Sequence, residues 1–349
     1  MAALRLNDLF AISWLDRTLE PALQAALDAK AKPPGALGRI EELALTLSLI
    51  QRGLRPAVER PVLLVFAGDH GLTRSGVAAF PSGVTVAMVD TLLAGKASAN
   101  AFARVVGAEV RVIDAGVAAD LSDRAGLVQA KIAWGTADAL VEPAMTPAQT
   151  EAALLGGAQV ADQAIANGAD LIALGEMGIG NSASAALLMH RLASTPLEDC
   201  VGQGAGHSPE GMARKRAVLA QAAARSNATA PFEVLTQFGG YEIAMMAGAM
   251  LAAARAGVPV LVDGFIGTAA ALLAVRLAPA ARDYCLFAHA SAEAGHRLML
   301  EALNARPLLA LDMRLGEGTG ALLAVPLVQA ACALMSEVAE LSDVLEAAG

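Results

Sequence analysis

Aromatic side chains are scarce in this chain: two tryptophans, two tyrosines and eight phenylalanines make up 3% of its 349 residues. Proteins that bind single-stranded nucleic acid stack bases on aromatic side chains and attract the phosphate backbone with basic surfaces. This chain has few such platforms, and its formal net charge is -9 at pH 7. The composition therefore predicts no nucleic-acid partner.

Charged residues are also few, because they make up 17% of the chain while hydrophobic residues make up 56%. An average soluble protein has about 25% charged residues. Much of this chain must therefore lie in buried layers, which excludes a disordered protein. A length of 349 residues allows about two domains and a large core.

Cysteines are too few and too far apart for a disulfide framework or a metal site. Their odd number is typical of a reduced compartment, in which they serve as small core side chains. The first twenty residues contain Asp8 and Asp16, so they do not read as a secretory signal. We therefore expect a cytoplasmic protein with three free cysteines: Cys200, Cys285 and Cys332.

A long, strongly hydrophobic run is missing too, although the mean hydropathy is +0.52. The longest uncharged run, residues 318–336, contains Thr319, Pro326 and Gln329 and is rich in alanine. A membrane-spanning helix needs about 20 strongly apolar residues. We therefore expect a buried helix here, and no membrane span.

What the chain does contain is an alternation of short apolar runs with longer helical stretches, which predicts a parallel α/β sheet. Each run stops at a polar residue beside a glycine or another small residue. Ligands bind at the carboxyl ends of strands in open parallel sheets. We therefore expect the six following loops to form one rim around a site. The candidate strands are residues 61–67, 109–113, 171–174, 258–262, 284–288 and 307–311. Residues 1–60 read as helices, broken at 32–35, and predict a helical subdomain.

Glu317 is the first candidate for chemistry, because it lies between Gly316 and Gly318 just before an apolar helix. Desolvation there would raise its pKa toward that of a general base. It is equally interpretable as a first-turn glutamate that complements the helix dipole and stays charged. Arg314 and Thr319 would hold a phosphate, or serve as an ordinary ion-pair and capping residue.

A second candidate is the segment 175–184, which follows a strand and opens a helix. Backbone N–H groups at such a point suit an anion. Gly178, Gly180 and Ala183 also match a relaxed dinucleotide fingerprint, with Glu198 and Asp199 near its acidic position. A tight turn that needs glycine is the alternative. A further run at Gly202, Gly204 and Gly206 reads as a phosphate cradle backed by Lys215, or as a plain loop.

Two further patterns are weaker evidence for a functional site. His289, Glu293 and His296 have the spacing of metal ligands on one helix face, but ordinary core or surface residues are the favoured interpretation, so we expect no metal. Asp69 and His70 would act as a base or form a structural bond at a strand end. No nucleophile elbow and no phosphate loop of the form GxxxxGKS or GxxxxGKT occurs in the sequence.

Taken together and in order, these loops resemble the nicotinate-nucleotide:dimethylbenzimidazole phosphoribosyltransferase family over nearly the whole chain. The motifs that carry the resemblance are KPPGALG at 32–38, FAGDHG at 66–71, GVAAFP at 76–81, GEMGIGN at 175–181, GGYEI at 239–243, VDGFI at 262–266 and RLGEGTG at 314–320. The resemblance implies transfer of 5-phosphoribose from nicotinate mononucleotide to 5,6-dimethylbenzimidazole or a related base, with no cofactor and no metal.

The resemblance also implies roles for individual residues. It makes Glu317 the catalytic base and places Glu176 in the active site. Asp263 becomes a candidate for the ribose hydroxyls. Candidates for gripping the phosphoribosyl group are Gly178, Gly180, Asn181, Ser182, Gly202, Gly204, Lys215, Arg314, Gly316 and Gly318, and candidates for the base pocket are Asp69, Phe80, Ala87 and Met88.

For the whole molecule, the resemblance implies a homodimer with a Rossmann-like, three-layer parallel sheet and a smaller helical domain. The expected division is a helical segment of the small domain at 1–60, the parallel α/β core with the active-site loops at 61–320, and a C-terminal helix at 321–349 that packs with the small domain.

Several positions depart from the family pattern. Ala87 stands where a glutamine is expected, and Ala78 and Phe80 replace a serine and a tyrosine, which makes the acceptor pocket more apolar. An apolar pocket discriminates poorly between bases that differ by a methyl or a hydroxyl group. The glycine loop carries Gln203, Ala205 and His207 in place of the usual residues. Two alternatives stay open: a nicotinamide-dependent oxidoreductase and a non-catalytic nucleotide-binding protein.

Overall fold

The computed structural model describes residues 4–204 and 206–348. Its strands are β1 (Pro61–Gly68), β2 (Glu109–Gly116), β3 (Leu127–Gln129), β4 (Leu171–Met177), β5 (Val260–Val262), β6 (Cys285–Phe287), β7 (His289–Ala290) and β8 (Leu309–Ala310). The first six form one parallel sheet in the order β3-β2-β1-β4-β5-β6. This is the strand order of Rossmann folds, which bind ligands where the order reverses, between the first and fourth strands.

Helices cover both faces of the sheet. They are α1 (Leu6–Phe10), α2 (Glu20–Asp28), α3 (Arg39–Ile50), α4 (Gly83–Leu93), α5 (Ser98–Val106), α6 (Pro147–Ala166), α7 (Asn181–Leu192), α8 (Leu197–Cys200), α9 (Pro209–Arg225), α10 (Pro231–Phe238), α11 (Tyr241–Arg255), α12 (Gly264–Leu277), α13 (His296–Ala302), α14 (Thr319–Ser336) and α15 (Leu341–Ala348). Short 3-10 helices lie at Arg17–Leu19, Gly71–Ser75 and Pro279–Tyr284.

The pleat of β1 divides the core into two layers. Val62, Leu64 and Phe66 belong to a cluster with α6, α7, α11 and α12. Leu63 and Val65 point to the other face and belong to a cluster with α2, α3, α5 and α14. Because both faces of a parallel sheet are covered, every residue of β1 is buried. The predicted three-layer α/β fold is confirmed.

Small residues allow close helix packing on the first of these faces. A Cβ atom on Gly157 of α6 would overlap the Met245 carbonyl of α11, and a Cβ on Gly248 of α11 would overlap the Leu154 carbonyl of α6. The two helices therefore meet backbone to backbone at reciprocal glycines. The richness of the chain in small residues has its structural reason here.

The strands differ from the sequence prediction in two places. The sixth candidate, residues 307–311, is not part of the main sheet, because only Leu309 and Ala310 form a strand, and they pair with β7 in a separate two-stranded sheet. The sixth strand of the main sheet is β3, which the sequence did not indicate. Three residues are too few to show a period, so its pairing with β2 decides its conformation.

The helices of residues 4–60 lie on opposite faces of the sheet. α1 contacts α6 and α11, whereas α2 and α3 contact α14. The C-terminal segment lies beside α2, where Lys30 Nζ and Glu340 Oε1 are 2.9 Å apart. This ion pair joins the two ends of the described chain. The boundaries of a separate small domain stay a prediction, because α2, α3 and α14 share a core cluster with the sheet.

The uncharged run of the sequence forms α14. By length and composition this helix could cross a membrane, but 61% of its apolar window is buried inside the protein. It packs against α3 and α5, and it contains Pro326. α14 is therefore a core helix, as the sequence predicts. The three cysteines are free and buried, which agrees with their expected place in the core.

Candidate active site

A cavity of about 380 Å³ lies at the carboxyl end of the sheet. Its lining comes from the loops that follow β4, β5, β7 and β8, together with residues 77–88 before and within α4. The expectation of one rim is thus correct for four of the six loops. The residues directly after β1, Asp69 and His70, and Asp114 near the end of β2 do not line the cavity, because they form buried contacts behind it.

The lining divides by chemistry into an apolar set and a polar set. The apolar set consists of Val77, Ala78, Ala79, Phe80, Val84, Met88, Met177, Ile179, Phe265, Ile266 and Leu315. The polar set consists of Glu176, Asn181, Ser182, His207, Asp263, His289, Ser291, Glu293, Arg314 and Glu317. A flat apolar group and a charged group therefore fit the same cavity.

Glu317 lies in a turn whose backbone is left-handed over three consecutive residues. The φ angles are +86° at Gly316, +61° at Glu317 and +81° at Gly318. Glycine adopts this region freely, whereas a glutamate there is strained by about 1–3 kcal/mol. A Cβ atom on Gly175 of β4 would come within 2.6 Å of the Glu317 carbonyl, so the turn lies directly on the end of that strand.

The carboxyl group of Glu317 is buried, and its Oε2 has no hydrogen-bond partner. Burial raises the pKa of Glu317, the backbone N–H of Ala99 opposes this shift, and the negative charge of Asp263 adds to it. Glu317 precedes the first turn of α14. Of the two environments considered for Glu317, the structure shows a desolvated carboxyl rather than one within the first turn of that helix.

Glu176 lies beside this turn, at the end of β4. Burial and the charges of Asp263, Glu242 and Glu317 raise its pKa to about 8, although a hydrogen bond from Asn181 lowers it. Glu176 therefore holds its proton at neutral pH. A Cβ atom on Gly316 would overlap Glu176 Oε1, so the absent side chain brings the two carboxyl groups together.

The segment predicted to bind an anion connects β4 to α7. The loop contains Gly178 and Gly180, and the helix begins at Asn181. Lys215 on α9 is fully buried, and its Nζ donates to Ser182 Oγ and to the Gly202 carbonyl, both at 3.0 Å. Burial lowers the pKa of Lys215 to about 8, against the opposing charge of Glu293. The Lys215 ammonium group thus lies next to the N-terminus of α7.

The glycine loop lies next to this cation. Gly204 lines the cavity, and its carbonyl accepts a hydrogen bond from Arg314 at 3.3 Å. Gly202 and Lys215 do not line the cavity but support it from behind. His207 Nε2 bonds the Val77 carbonyl at 3.1 Å and so joins the loop to the apolar set. Ala205 lies outside the described residues.

The structure does not favour a dinucleotide site at Gly178. In Rossmann folds the fingerprint follows the first strand and the acidic residue binds the ribose. Here the segment follows β4, and the acidic candidates Glu198 and Asp199 lie within the short helix α8. The glycines at this point serve a close packing instead, because a Cβ atom on Gly178 would overlap the Gly68 carbonyl of β1.

Only two of the four candidates for the base pocket line the cavity. Phe80 and Met88 line the cavity, and Phe80 is 49% exposed. Ala87 is exposed on the outer side of α4 and does not line it. Asp69 is buried behind the cavity, where it accepts hydrogen bonds from Thr85 Oγ1 at 2.7 Å and from the Ala118 N–H at 2.9 Å. Thr85 Oγ1 in turn accepts the Ile179 N–H, so Asp69 supports the loop between β4 and α7 through Thr85.

The three residues that have the spacing of metal ligands do not lie on one helix face. His289 is on β7, Glu293 is in a loop and His296 starts α13. His296 bonds Thr268 Oγ1 at 2.9 Å and the Ser291 N–H, and burial lowers its pKa to about 3. Among the residues that the structure describes, no group of histidine, cysteine or acidic side chains has the arrangement of a metal site.

Sequence reasoning missed two features of the site. His289, Ser291 and Glu293 line the cavity, although the sequence pointed to His289 and Glu293 only by the spacing of metal ligands and did not single out Ser291. His70 and Glu242 form a buried pair, with 2.6 Å between Nε2 and Oε1. Burial alone would lower the pKa of His70, but the charge and hydrogen bond of Glu242 and the charge of Asp69 raise it. Their place within two of the quoted motifs was the available signal.

Comparison with known proteins identifies the family. A family model described as "Phosphoribosyltransferase" matches residues 12–344. The nicotinate-nucleotide--dimethylbenzimidazole phosphoribosyltransferase of Cupriavidus necator is 52% identical over 332 residues, covering 95% of this chain and 96% of the relative. The protein of that name from Dechloromonas aromatica is 52% identical over 334 residues, covering 95% and 96%.

A solved structure agrees with these relatives. The crystal structure of CobT from Thermus thermophilus is similar with a TM-score of 0.90 and 44% sequence identity, covering 94% of this chain and 98% of that one. Sequence and fold thus match over more than nine-tenths of the chain. The chain belongs to the nicotinate-nucleotide:dimethylbenzimidazole phosphoribosyltransferase family.

Proposed function

We propose that the protein transfers 5-phosphoribose from nicotinate mononucleotide to 5,6-dimethylbenzimidazole or a related base, giving α-ribazole 5'-phosphate and nicotinate for the nucleotide loop of cobamides. The observation that carries the proposal is the buried Glu317 carboxyl, with an unpartnered oxygen, in a cavity lined by both apolar and polar side chains. Membership of the family agrees with this activity.

In this reaction Glu317 acts as the general base. The neutral benzimidazole attacks the anomeric carbon from the face opposite nicotinate, so the configuration inverts from β to α. The attacking ring loses its N–H proton as positive charge develops, and a carboxylate beside it takes that proton and stabilises the charge. Nicotinate leaves as a pyridine that already carried a positive charge, so its departure needs no proton.

The neutral Glu176 keeps the negative charge of the carboxyl pair on Glu317. Two carboxyl groups at close range do not ionise together, and the one with the strongly raised pKa retains its proton. At neutral pH Glu176 therefore has an O–H group that donates a hydrogen bond toward the sugar. We assign it this binding role rather than proton abstraction.

The phosphate group binds at the start of α7, between Lys215 and Arg314. Backbone N–H groups near Gly180 and Asn181 and the positive helix end suit a dianion. Lys215 adds a fixed charge through its bonds to Ser182 and the glycine loop. Gly178, Gly202, Gly204, Gly316 and Gly318 shape this region, because a side chain at any of them would collide with a neighbouring group or strain a turn.

The acceptor base binds against the apolar set, with Phe80 and Met88 among its contacts. Met88 points into the cavity, whereas Ala87 at the position of the expected glutamine points away, so this helix supplies no polar contact to the base. Substituents on the six-membered ring therefore meet methyl, thioether and phenyl groups. Such a surface tolerates methylated and unmethylated benzimidazoles alike.

Incubation of the purified protein with nicotinate mononucleotide and a panel of acceptors tests the proposal. We expect release of nicotinate with dimethylbenzimidazole and a product of the mass of α-ribazole 5'-phosphate. No turnover with any benzimidazole, purine or phenol would refute the activity. Tight binding of nicotinate mononucleotide without turnover would instead identify a non-catalytic nucleotide-binding protein.

We further propose that the protein works as a cytoplasmic homodimer. Three buried free thiols are compatible with a reduced compartment. α15 has no buried residues, and it exposes Leu341, Val344 and Leu345 beside the N-terminal helices. Sedimentation equilibrium should give twice the 35.4 kDa of one chain. A mass of one chain at micromolar concentration would contradict the dimer.

A further inference from the structure

The loop after β5 supplies a buried aspartate that binds the turn of Glu317. Asp263 Oδ2 accepts the Gly318 N–H at 3.2 Å, and Oδ1 accepts the Ala321 N–H at 2.9 Å. Both N–H groups belong to the start of α14, directly after Glu317. Asp263 is 4% exposed, so both of its oxygens are engaged by backbone rather than by solvent. A side chain from another strand thus fixes the end of the strained turn.

A histidine supports this aspartate from behind. His289 is 3% exposed, and its Nε2 lies 3.4 Å from Asp263 Oδ1. A Cβ atom on Gly320 would come within 2.7 Å of Asp263 Oδ1 and would overlap the imidazole ring. The aspartate and the histidine are therefore packed against the first turn of α14 without free space.

We infer that Asp263, supported by His289, is the positioning residue of Glu317: it holds the left-handed turn in place and sets the electrostatic environment of the base. This inference rests on the proposed function and deepens it. It gives Asp263 a role beyond contact with the ribose hydroxyls, because each of its oxygens accepts a backbone N–H group next to the turn of Glu317.

The negative charge of Asp263 affects the pKa of Glu317 in a known direction. Glu317 is faced by Asp263, by Glu176 at the end of β4 and by the uncharged Ala99 N–H of α5, while His289 lies behind Asp263. Arg314 is directed to the Gly204 carbonyl. The charge of Asp263 raises the pKa of Glu317. Removing that charge must therefore lower the pKa of Glu317.

Asp263→Asn tests both parts of the inference. We expect kcat to fall by about 10²-fold, since a displacement of about 1 Å costs that much, while KM for nicotinate mononucleotide changes by less than about threefold. The acid limb of kcat against pH should move to lower pH. A raised KM with kcat unchanged, or an unmoved limb, would overturn the inference. Asp114→Asn is the matched control, because Asp114 is also a buried aspartate in a parallel strand, bonds the Val117 N–H and lies outside the cavity.

Gly320→Ala separates geometry from charge. The added methyl group displaces the Asp263–His289 pair but leaves every charge in place. We expect a lower kcat without a shift of the acid limb, and a folded Gly320→Ala protein with the parent's kcat would overturn the inference even if Asp263→Asn does not fold. A parent protein without turnover refutes the proposed function, and this inference with it. An active parent with unaffected variants refutes the inference alone.

Discussion

At the scale of the residue, the site is a group of buried ionisable side chains whose proton affinities differ for identifiable reasons. Glu317 has an unpartnered oxygen, Glu176 is neutral at pH 7 and Lys215 loses part of its charge just above it. Burial is the first cause of each shift. Their chemistry therefore depends on the fold that excludes water from them.

Glu317→Gln removes the proposed base but keeps the size of the side chain. We expect nicotinate release to fall by about 10²-fold or more, because no group then takes the N–H proton of the attacking ring. Glu337→Gln, in an exposed position at the end of α14, is the control and should keep full activity. Near-normal turnover of Glu317→Gln would remove Glu317 from the role of base.

Lys215 gives the reaction a dependence on alkaline pH. The ammonium group is charged below its pKa of about 8 and neutral above it, whereas the substrate phosphate is a dianion throughout that range. We therefore expect kcat/KM for nicotinate mononucleotide to fall as pH rises through about 8.

Lys215→Arg tests this assignment, because a guanidinium stays charged to above pH 12. In a folded and active Lys215→Arg protein the fall near pH 8 should disappear. If the same fall persists in that variant, it belongs to another group. Lys131→Arg, which changes a lysine paired with Asp114 outside the cavity, should leave the profile of the parent unchanged.

At the scale of the element, the turn of residues 316–318 depends on contacts from two strands. Gly175 of β4 leaves room for its backbone, and Asp263 after β5 binds its N–H groups. A parallel sheet brings the ends of these strands together, although they are far apart in sequence. The conformation of the turn therefore depends on contacts from the sheet and not on its own residues alone.

Gly318→Ala tests this dependence on contacts. An alanine there is strained at φ +81°, and its Cβ would also collide with Leu63 Cδ1. Gly35→Ala has a similar angle, +76°, with nothing within 4 Å of the added atom. We expect Gly35→Ala to lower the free energy of unfolding by about 1 kcal/mol and Gly318→Ala to lower it by about 2–4 kcal/mol in urea titrations. Equal losses would show that the packing of the turn contributes nothing.

At the scale of the whole molecule, the burial of acidic side chains in the active site destabilises the fold, and packing elsewhere offsets this loss of stability. Five acidic side chains, Asp69, Glu176, Glu242, Asp263 and Glu317, lie at one end of the sheet, and burial raises the pKa of three of them. Ionising a buried carboxyl is unfavourable, so the folded state binds protons that the unfolded chain releases. The two large core clusters supply the stability that permits this.

Glu176 should make stability fall with pH. Its pKa is about 4.5 in the unfolded chain and about 8 in the fold, so the stability present below pH 4.5 is lost as pH rises through about 8. Glu176→Gln cannot ionise, and we expect it to raise the free energy of unfolding at pH 8 by on the order of a few kcal/mol while activity falls. Urea titrations at pH 5 and pH 8 measure this difference. A variant with the pH slope of the parent, or one that matches the control Glu337→Gln, would contradict the shift.

Most of the fold was readable from the sequence because it depends on local pattern. Short runs rich in apolar residues predicted β1, β2, β4, β5 and β6 near their observed positions, and the uncharged run predicted the buried helix α14. β3 was not readable, because three residues form a strand only through their pairing with β2. The separation of β8 from the main sheet was likewise a matter of pairing with β7.

The sequence predicted residues of the cavity where a glycine motif surrounded a polar residue, as at Glu317 and Glu176. The site was not readable where the role of a side chain depends on which way it points. Ala87 and Met88 are neighbours in the sequence, yet the turn of α4 directs only Met88 to the cavity. Asp69 and Asp263 both follow strands, but Asp69 binds Thr85 behind the cavity and Asp263 binds the turn of Glu317.

The sequence by itself thus determined the fold class, the family and the loops that carry the chemistry, because periodicity and motifs are properties of neighbouring residues. Only the tertiary structure decided the proton states and partners within the site. Burial and the approach of charges from separate strands set the pKa values of Glu176, Lys215 and Glu317. These distances exist only when the sheet has brought the strand ends together.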